Sequence, residues 1–235
     1  ASSGVKSSGH LEPHDFVHLH NHTHFSLLDG LSKIEPLVLR VKELGMEAVA
    51  ITDHGTMSGA IEFYKQCNKN GVKPIIGIET YVANRKHTDK EPQQDKARYH
   101  LIILAMNNIG YQNLMRLSTI ANLDGFYHKP RIDHELLEKY NEGLIILSGC
   151  IGGEVGDALR SGQYEQAKKT ALWYKEIFGD RYYLELQDHG HMWDEQKKVN
   201  DQLLKLSGET KIQAVLTADA HYLTHEDQEA HEALL

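Results

Sequence analysis

Seven short apolar runs occur along the chain, and a side chain that can bind a metal ion lies beside one end of most of them. Short runs bounded by polar or turn residues are typical of buried β-strands. The runs cover residues 16–19, 48–51, 74–78, 101–104, 144–147, 182–186 and 214–216. Because functional side chains collect at strand ends in α/β folds, this pattern constrains both the fold and the place where its chemistry lies.

Stretches with helical periodicity separate the apolar runs. Leu37, Val38, Val41 and Leu44, for example, fall on one face of a helix. Predicted helices cover residues 34–44, 57–70, 111–121, 165–178 and 195–206. Alternating strands and helices predict an α/β protein with a parallel sheet, and seven strands without a break favour a TIM-like barrel over two domains. An open doubly wound sheet is the alternative.

The composition is that of one sizeable globular domain. The chain has 235 residues, 40% of them hydrophobic, which is enough for a single core. No run approaches the roughly 18 apolar residues of a membrane span, and no secretory signal is visible. Cys67 and Cys150 are far apart and belong to no CxxC pair, which favours a reducing compartment over a disulfide framework. We therefore expect a cytoplasmic protein with no membrane partner.

Both ends of the chain bear on its domain boundaries. Residues 1–15 are rich in Ser and Gly and lack periodicity, so they are predicted to be a flexible leader or a cloning remnant. Residues 16–235 form the predicted domain. The amphipathic stretch that starts at Glu226 stops at Leu235, which suggests a domain excised from a longer chain. The polar stretch 84–98 is predicted to be an exposed loop.

The first three motifs place candidate metal ligands after apolar runs. His20 and His22 are two residues apart, so on a strand both imidazoles face the same way and can reach one ion. His54 ends the second run in a Thr-Asp-His-Gly turn. Glu79 ends an apolar run, where a buried carboxylate needs a partner and a metal ion is the readiest one. A polar strand face, a capping turn and a lysine-paired glutamate are the respective alternatives.

Later runs add four further candidate ligands. Cys150 ends one run in a Gly-rich turn, although a lone cysteine is more often a small buried apolar residue. Asp219 and His221 repeat the spacing of two after the last run. His100 stands at the start of its run rather than at its end, and a surface histidine is the alternative there. Imidazole, carboxylate and thiolate together predict a polynuclear metal site.

Other histidines near apolar runs are kept out of the predicted ligand set. His18 shares a strand face with His20, and we expect it in the interior or beside a ligand. His189 and His191 follow the run 182–186 and are expected at the mouth of the pocket.

Net charge and the absence of other motifs exclude several classes of function. With a net charge of −8, the chain does not resemble a protein that binds nucleic acid through a positive potential over its whole surface. Divalent ions would outweigh the acidic ligands locally, so an acidic body would carry a cationic pocket suited to a phosphate ester. A serine hydrolase is poorly supported, because no GxSxG elbow occurs, and neither a P-loop nor a GxGxxG fingerprint is found.

Several motifs together resemble the PHP (polymerase and histidinol phosphatase) domain family. The motifs HLHNHTHFSLLDG, ITDHGTMSGAIEFY, KPIIGIETYVA and TADAHYL carry the general resemblance. SLLDG, GYQNL, GFYHKPRID and LSGCIGGE are more specific, and they are similar to the PHP domain at the N-terminus of bacterial replicative DNA polymerase III α subunits. The similarity covers residues 16–235.

The resemblance implies a fold, a ligand set and a cofactor. The fold is a distorted (β/α)7 TIM-like barrel with a metal cluster at the C-terminal ends of its strands. The cluster implies two to three divalent ions, with zinc favoured by the His and Cys ligands and manganese or iron as alternatives. The ligands implied one by one are His20, His22, Asp29, His54, Glu79, His100, Cys150, Asp219 and His221.

The function expected from this resemblance is a metal-dependent phosphoesterase, most simply a 3′→5′ exonuclease with a proofreading role. The nucleophile would be a hydroxide held by the metal cluster rather than a protein side chain. Lys129 and Arg131 are candidate phosphate contacts, with contact to the polymerase body as the alternative. The expected partners are a single-stranded or frayed DNA 3′ end and the remaining polymerase domains. A metal-stabilised docking domain without activity and a small-molecule phosphatase of the histidinol phosphatase type are the rival functions.

Overall fold

The computed structural model of the chain describes residues 12–189 and 194–235. In these residues one mixed sheet, curled into a half-barrel, carries helices on its outside. Its strands are β1 (Ala48–Ile51), β2 (Lys73–Ala83), β3 (Arg98–Ala105), β4 (Arg131–Ile132), β5 (Leu144–Leu147), β6 (Tyr182–Gln187) and β7 (Gln213–Thr217).

The sheet has the order β1-β2-β3-β5-β6-β7, with β4 paired to the far end of β2. The pairs β1–β2, β2–β4, β5–β6 and β6–β7 are parallel. Strand β3 runs antiparallel to both of its neighbours, β2 and β5. The prediction of an all-parallel sheet is therefore wrong at β3, and the sheet is mixed.

The first apolar run, 16–19, is not a regular strand. Single bridges join His18 to Val49 of β1 and Asn21 to Ala220, which follows β7. The segment thus lies in extended form between the two outer strands of the sheet, where its backbone bonds to both sides. Because these are single bridges and not a continuous ladder, the run predicted as a strand is an extended segment without regular strand pairing.

Each of the five predicted helices is found, with its ends shifted by at most a few residues. Two short helices that were not predicted, His134–Lys139 and Glu154–Arg160, follow β4 and β5, respectively. The helices are α1 (Ile34–Glu43), α2 (Ala60–Asn70), α3 (Asn108–Leu123), α4 (His134–Lys139), α5 (Glu154–Arg160), α6 (Tyr164–Phe178), α7 (Asp194–Thr210) and α8 (Gln228–Leu234).

Short 3-10 turns complete the described chain. They are Pro13–Asp15, Gly179–Arg181 and His225–Asp227. The first of them falls inside the predicted leader, whose residues 1–11 lie outside the described part of the chain. Within 12–189 and 194–235, no helix combines the length and the apolar character needed to cross a bilayer.

The core is built from the periodic apolar positions of the sequence. Ile34, Val38 and Phe63 pack between α1, α2 and β1, and each is fully buried. Leu101–Leu104 in β3 are buried on both faces, since the sheet has helices outside and the candidate site inside. Cys67 is fully buried in the first cluster, as expected for a small apolar residue of α2.

Candidate metal centre

His20 and His22 lie inside the half-barrel on the extended segment between β1 and the end of β7. The amide of Ala50 donates to the His18 carbonyl at 2.8 Å, and the amide of His22 donates to the Ala220 carbonyl at 2.8 Å. Both imidazoles are 0% exposed, and their Nε2 atoms are 3.1 Å apart. Residues two apart on an extended segment face the same way, so the HxH spacing delivers both rings to one point.

Glu79 is the carboxylate that the surrounding imidazoles share. It is 1% exposed, and its Oε1 and Oε2 lie 3.6 Å from Nε2 of His20 and of His22, respectively. Oε1 is also 2.8 Å from His100 Nδ1, while Oε2 touches His54 Nδ1. The buried carboxylate at the end of an apolar run therefore faces four histidines rather than a lysine.

Asp219 approaches His20 and His22 from the β7 side of the site. Its Oδ1 is 3.1 Å from His20 Nε2 and 3.3 Å from His22 Nε2. The residue has φ 47°, in the left-handed region that non-glycine residues rarely adopt. Unusual backbone conformations of this kind concentrate at functional sites, where the surrounding structure holds them in place.

His100 reaches the cluster because β3 runs antiparallel to its neighbours. The start of β3 lies at the same edge as the ends of the parallel strands, so His100 is close to Cys150, which follows β5. Cys150 Sγ is 3.6 Å from His100 Nδ1. Gly149 has φ 80°, and a Cβ there would stand 2.5 Å from the His100 carbonyl oxygen, so glycine allows this close approach.

Asp29 forms the more exposed side of the cluster. Its Oδ2 is 3.1 Å from His54 Nε2 and 4.0 Å from His221 Nε2, and its side chain is 26% exposed. His231 of α8 donates from Nε2 to the Asp29 carbonyl at 2.9 Å. This bond connects α8 to the loop that carries Asp29.

Hydrogen bonds to Nδ1 orient two of the imidazoles. His20 Nδ1 donates to Glu185 Oε1 at 2.7 Å, and His221 Nδ1 donates to the carbonyl of Asp219 at 2.9 Å. In the neutral tautomer that these bonds select, Nε2 keeps its lone pair. That lone pair faces the interior of the cluster, as in histidines that bind a metal.

His22 is oriented in the same way by a serine. Ser26 Oγ donates its only proton to Asp53 Oδ1 at 2.9 Å, since a carboxylate can only accept. Ser26 Oγ, 3.0 Å from His22 Nδ1, must therefore accept from that nitrogen. His22 is left with a free Nε2 lone pair, like His20 and His221.

Three buried carboxylate oxygens indicate that these residues fit metal ions. Asp29 Oδ1, Glu79 Oε2 and Asp219 Oδ1 make no well-aligned hydrogen bond to a described residue, and the last two oxygens contact only imidazole nitrogens there. A buried carboxylate oxygen without a partner is costly, and a divalent cation is a natural partner for it. The described residues contain three groups in which the donor atoms all lie within 4.8 Å of one another. The groups are His20, His22 and Glu79; His22, His54 and His221; and Glu79, His100 and Cys150.

The crowded charges displace the pKa values of the cluster. Burial lowers the pKa of His20, but Asp219, Glu185 and Glu79 outweigh it and raise that pKa to about 10. Burial also opposes the charged form of Asp219, yet His20 and His22 hold its pKa well below its usual range. In the absence of metal, protons on the imidazoles therefore offset the charge of the ionised carboxylates, and binding of a cation must displace those protons.

Glu185 is a buried functional residue that sequence reasoning did not identify. It is 1% exposed, and besides His20 it accepts from Thr217 Oγ1 at 2.6 Å and from the Gly149 amide at 3.1 Å. Its carboxylate lies behind a candidate ligand histidine, an arrangement that fixes ring orientation in metal sites. An acidic residue inside the apolar run 182–186 was the available signal, since a buried carboxylate needs polar partners.

The two candidate phosphate contacts have different surroundings. Lys129 is partly exposed, with Nζ 5.6 Å from the centroid of the Tyr81 ring. Arg131 is 0% exposed, and within the described part of the chain its guanidinium donates only to backbone carbonyls. Those carbonyls belong to Gly125, Asp95, His87 and Asp89. The expectation that Arg131 contacts phosphate is corrected, because its donors hold the loop 84–98 in place.

The remaining histidines lie outside the three donor groups. His18 bridges to β1, and its ring meets the Phe16 ring edge-on at 4.9 Å, which agrees with an interior position. His189 follows β6 and belongs to none of the three groups. His191 lies outside the described residues.

Comparison with known sequences places these features in a family context. A family model described as the PHP domain matches residues 18–189. The chain is 46% identical over 221 residues to the DNA polymerase III subunit alpha of Borreliella burgdorferi, covering 94% of this chain and 19% of that protein. Against the subunit of Thermus aquaticus the identity is 46% over 224 residues, covering 94% and 18%. The chain thus spans about a fifth of the length of these relatives.

Solved structures share the fold at low sequence identity. An amidohydrolase from Chromobacterium violaceum is similar with a TM-score of 0.57 and 12% identity, covering 93% of this chain and 96% of that one. A proposed metal-dependent phosphoesterase from Bifidobacterium adolescentis is similar with a TM-score of 0.54 and 14% identity, covering 88% of both chains.

Proposed function

This chain belongs to the PHP domain family, and we propose that it is a metal-dependent phosphoesterase module of a bacterial replicative DNA polymerase, acting as a 3′→5′ exonuclease. The observation that carries the proposal is the set of buried carboxylate oxygens and imidazole nitrogens that face one another in three donor groups. Without a cation, this buried cluster must keep protons on its imidazoles to offset the carboxylate charges. As part of the replication machinery the module would work in the cytoplasm.

The three donor groups are the proposed sites of two to three divalent ions. Imidazole and thiolate favour zinc, whereas carboxylate with imidazole also accommodates manganese or iron. Ions bound there would polarise the phosphate ester and activate water for attack on it. In this proposal the half-barrel closes through the extended segment as a distorted (β/α)7 barrel, with the cluster at the edge where the parallel strands end. The nine proposed ligands are His20, His22, Asp29, His54, Glu79, His100, Cys150, Asp219 and His221.

The protein's own contribution is orientation and exclusion of water. Glu185 and Ser26 fix the rings of His20 and His22, so the Nε2 atoms are aimed before any ligand binds. The deepest donors are 0–1% exposed, whereas the His100 side chain is 30% exposed. A substrate would therefore approach from the side of His100 and Lys129.

A DNA 3′ end is the proposed substrate because the donors are recessed and the chain is acidic. A duplex is too wide to reach the deepest donors, which are 0–1% exposed, so an end must be single-stranded or frayed. Unpairing costs a few kcal/mol and is least costly at a mismatch, which suits a proofreading role. At −8 net charge, the chain offers little general attraction for a duplex.

A docking domain of the polymerase is the second candidate function. It is favoured by apolar side chains that remain exposed between α2 and the start of α3, including Ile61 at 59%, Tyr64 at 53% and Met106 at 54%. Exposed apolar patches of this kind mark contact surfaces, and the relatives are about five times longer than this chain. Docking and hydrolysis are compatible with each other in one domain.

Initial rates on three 3′-labelled DNA substrates test the proposal. With metal-replete protein, we expect the rate to be highest on a single-stranded end, intermediate on a mismatched end and lowest on a matched end. Equal rates on all three would refute the recessed-site argument. No DNA cleavage with retained metal would favour the docking role, and rapid hydrolysis of a small phosphate monoester alone would favour the small-molecule phosphatase.

A further inference from the structure

Two cations lie over one aromatic ring at the rim of the candidate metal centre. Arg98 Cζ is 5.9 Å and Lys129 Nζ is 5.6 Å from the centroid of the Tyr81 ring. Tyr81 is 4% exposed, and its ring meets the His100 ring edge-on at 5.2 Å. The same ring stacks with His54 at 6.3 Å. Both cations therefore contact the ring that also packs against two proposed ligands, His54 and His100.

Strand pairing fixes these positions. Arg98 and His100 are two residues apart on β3, so their side chains lie on the same face of the strand. Tyr81 of β2 pairs with His100 on one side and with Arg131 of β4 on the other. Lys129 lies two residues before that last contact. The pairings that bring His100 to the cluster thus also place both cations on Tyr81.

Neither cation has an acidic partner among the described residues. Arg98 donates to the Lys96 carbonyl at 3.2 Å, and no carboxylate lies within 4.0 Å of Arg98 or of Lys129 there. Arg85 and Lys168, by contrast, are each paired with carboxylates. In a chain of −8 net charge, two unpaired cations beside an acidic cluster are an available anion-binding pair.

We propose that Arg98 and Lys129 form a second phosphate subsite, which holds the phosphate next to the scissile one in a DNA strand. The inference rests on the proposed function and specifies its substrate as a chain of at least two phosphates. A guanidinium can hold a phosphate through two parallel hydrogen bonds, and the lysine adds a point charge. Contacts to phosphates carry no sequence information, so the subsite serves any base. In this subsite Arg98 takes the role of phosphate contact that the sequence had suggested for Arg131.

The test compares Arg98→Gln and Lys129→Gln with a matched control. Lys139→Gln is that control, because Lys139 Nζ also lies over a tyrosine ring, 5.2 Å from the Tyr140 centroid, on α4. The probe for binding is a fluorescent single-stranded oligonucleotide whose 3′ linkages are phosphorothioates, which resist cleavage. We expect about tenfold weaker binding in each subsite variant. The slope of log K against log salt should fall by about 0.7 for each cation removed.

Kinetics separate the subsite from the cluster. For oligonucleotide hydrolysis, KM should rise about tenfold in both variants with kcat unchanged. For bis(p-nitrophenyl) phosphate, which has a single phosphate, the changes in KM and kcat should be much smaller than those for the oligonucleotide. Elemental analysis should find the parent's metal content, and Arg98→Lys should recover part of the binding because it keeps the charge.

The outcomes distinguish this inference from the function on which it rests. Binding that depends on Arg98 and Lys129 without any hydrolysis would reject the exonuclease and retain the subsite. Hydrolysis with unchanged binding and KM in the variants would overturn the subsite and retain the exonuclease. An equal loss in Lys139→Gln would also overturn it, since the effect would then be one of overall charge.

Discussion

Asp219 combines a left-handed backbone with a carboxylate between two imidazoles, and Asp219→Asn separates these properties. Asparagine tolerates positive φ about as well as aspartate, so the turn should be kept. The lost charge removes a proposed ligand, and we expect hydrolysis to disappear while circular dichroism stays unchanged. Bound metal, measured by elemental analysis, should fall by about one ion per chain. Asp201→Asn on the exposed face of α7 is the control, and full activity in Asp219→Asn would point to a contaminating nuclease.

Glu185 supports His20 from behind, so it should affect metal affinity rather than the fold. Four donors converge on its two oxygens, from His20, Thr217, Gly149 and Gln187. An amide has one acceptor oxygen, so Glu185→Gln must leave at least one donor unpaired. We expect metal affinity to fall about 10–100-fold, as is usual when such a partner is lost.

Competition with a chelator measures that affinity, and ¹⁵N chemical shifts report which nitrogen of His20 carries the proton. Glu176→Gln, on the exposed side of α6, is the matched control. Unchanged affinity together with an unchanged His20 tautomer would show that Glu185 has no orienting role.

At the residue scale, the sequence predicted that certain side chains lie close together when their chemistry and their position beside an apolar run agreed. The spacing of two predicted that His20 and His22 point to one place, and the buried carboxylate of Glu79 at the end of an apolar run predicted polar partners. Arg131 was misjudged since a sequence does not show whether a guanidinium faces solvent or backbone carbonyls. Arg98 and Glu185 were missed because their roles depend on neighbours that are distant in sequence.

At the scale of elements, the direction of one strand decides the composition of the site. His100 looked misplaced because its run seemed parallel to the others, and apolar periodicity carries no information on strand direction. Since β3 is antiparallel, its start lies where the neighbouring strands end, and His100 therefore lies at the same edge of the sheet as the other candidate ligands. The helices were easier to predict, because their periodic apolar faces pack directly on the sheet.

The loop 84–98 depends on Arg131, so Arg131→Met should destabilise the protein. The variant leaves four carbonyl acceptors without their charged donor, and we expect the free energy of unfolding to fall by about 3 kcal/mol. Urea denaturation measures the change. Arg116→Met is the control, because Arg116 makes one side-chain bond, to Asn113, at 3.0 Å. An unchanged midpoint with a raised KM for DNA would restore the phosphate role of Arg131.

The same loop should show an acid-sensitive contribution from Asp95. The hydrogen bond from Arg85 holds the pKa of Asp95 down at about 2, below its usual value of about 3.9. Because the folded pKa is depressed, the stabilisation is complete above about pH 4 and is lost as the pH falls toward about 2. Melting temperatures of the parent chain and of Asp95→Asn should therefore differ near neutral pH and converge in acid. A difference that is constant with pH would contradict the ion-pair explanation.

At the scale of the whole molecule, the proposed metal centre connects parts of the chain that are distant in sequence. Its donors come from the extended first segment and the loop that follows it, from turns after β1, β5 and β7, from within β2 and from the start of β3. Such a site exists only when the sheet is assembled, so cations that bind it stabilise the folded state alone. Protons on the histidines replace part of that stabilisation when no cation is bound.

Removal of metal should therefore lower the melting temperature of the entire domain. Ions present at about a thousand times their dissociation constant contribute about 4 kcal/mol, and each kcal/mol shifts the melting temperature of a protein of this size by about 2–4 °C. Chelation, with metal loss confirmed by elemental analysis, should then lower the melting temperature by about 8–16 °C, and added zinc or manganese should restore it. Asp219→Asn should respond less to chelator, since it starts with fewer bound ions. An unchanged melting temperature after confirmed metal loss would show that the carboxylates and imidazoles are satisfied by protons alone, and the argument from unpaired buried oxygens would fail with it.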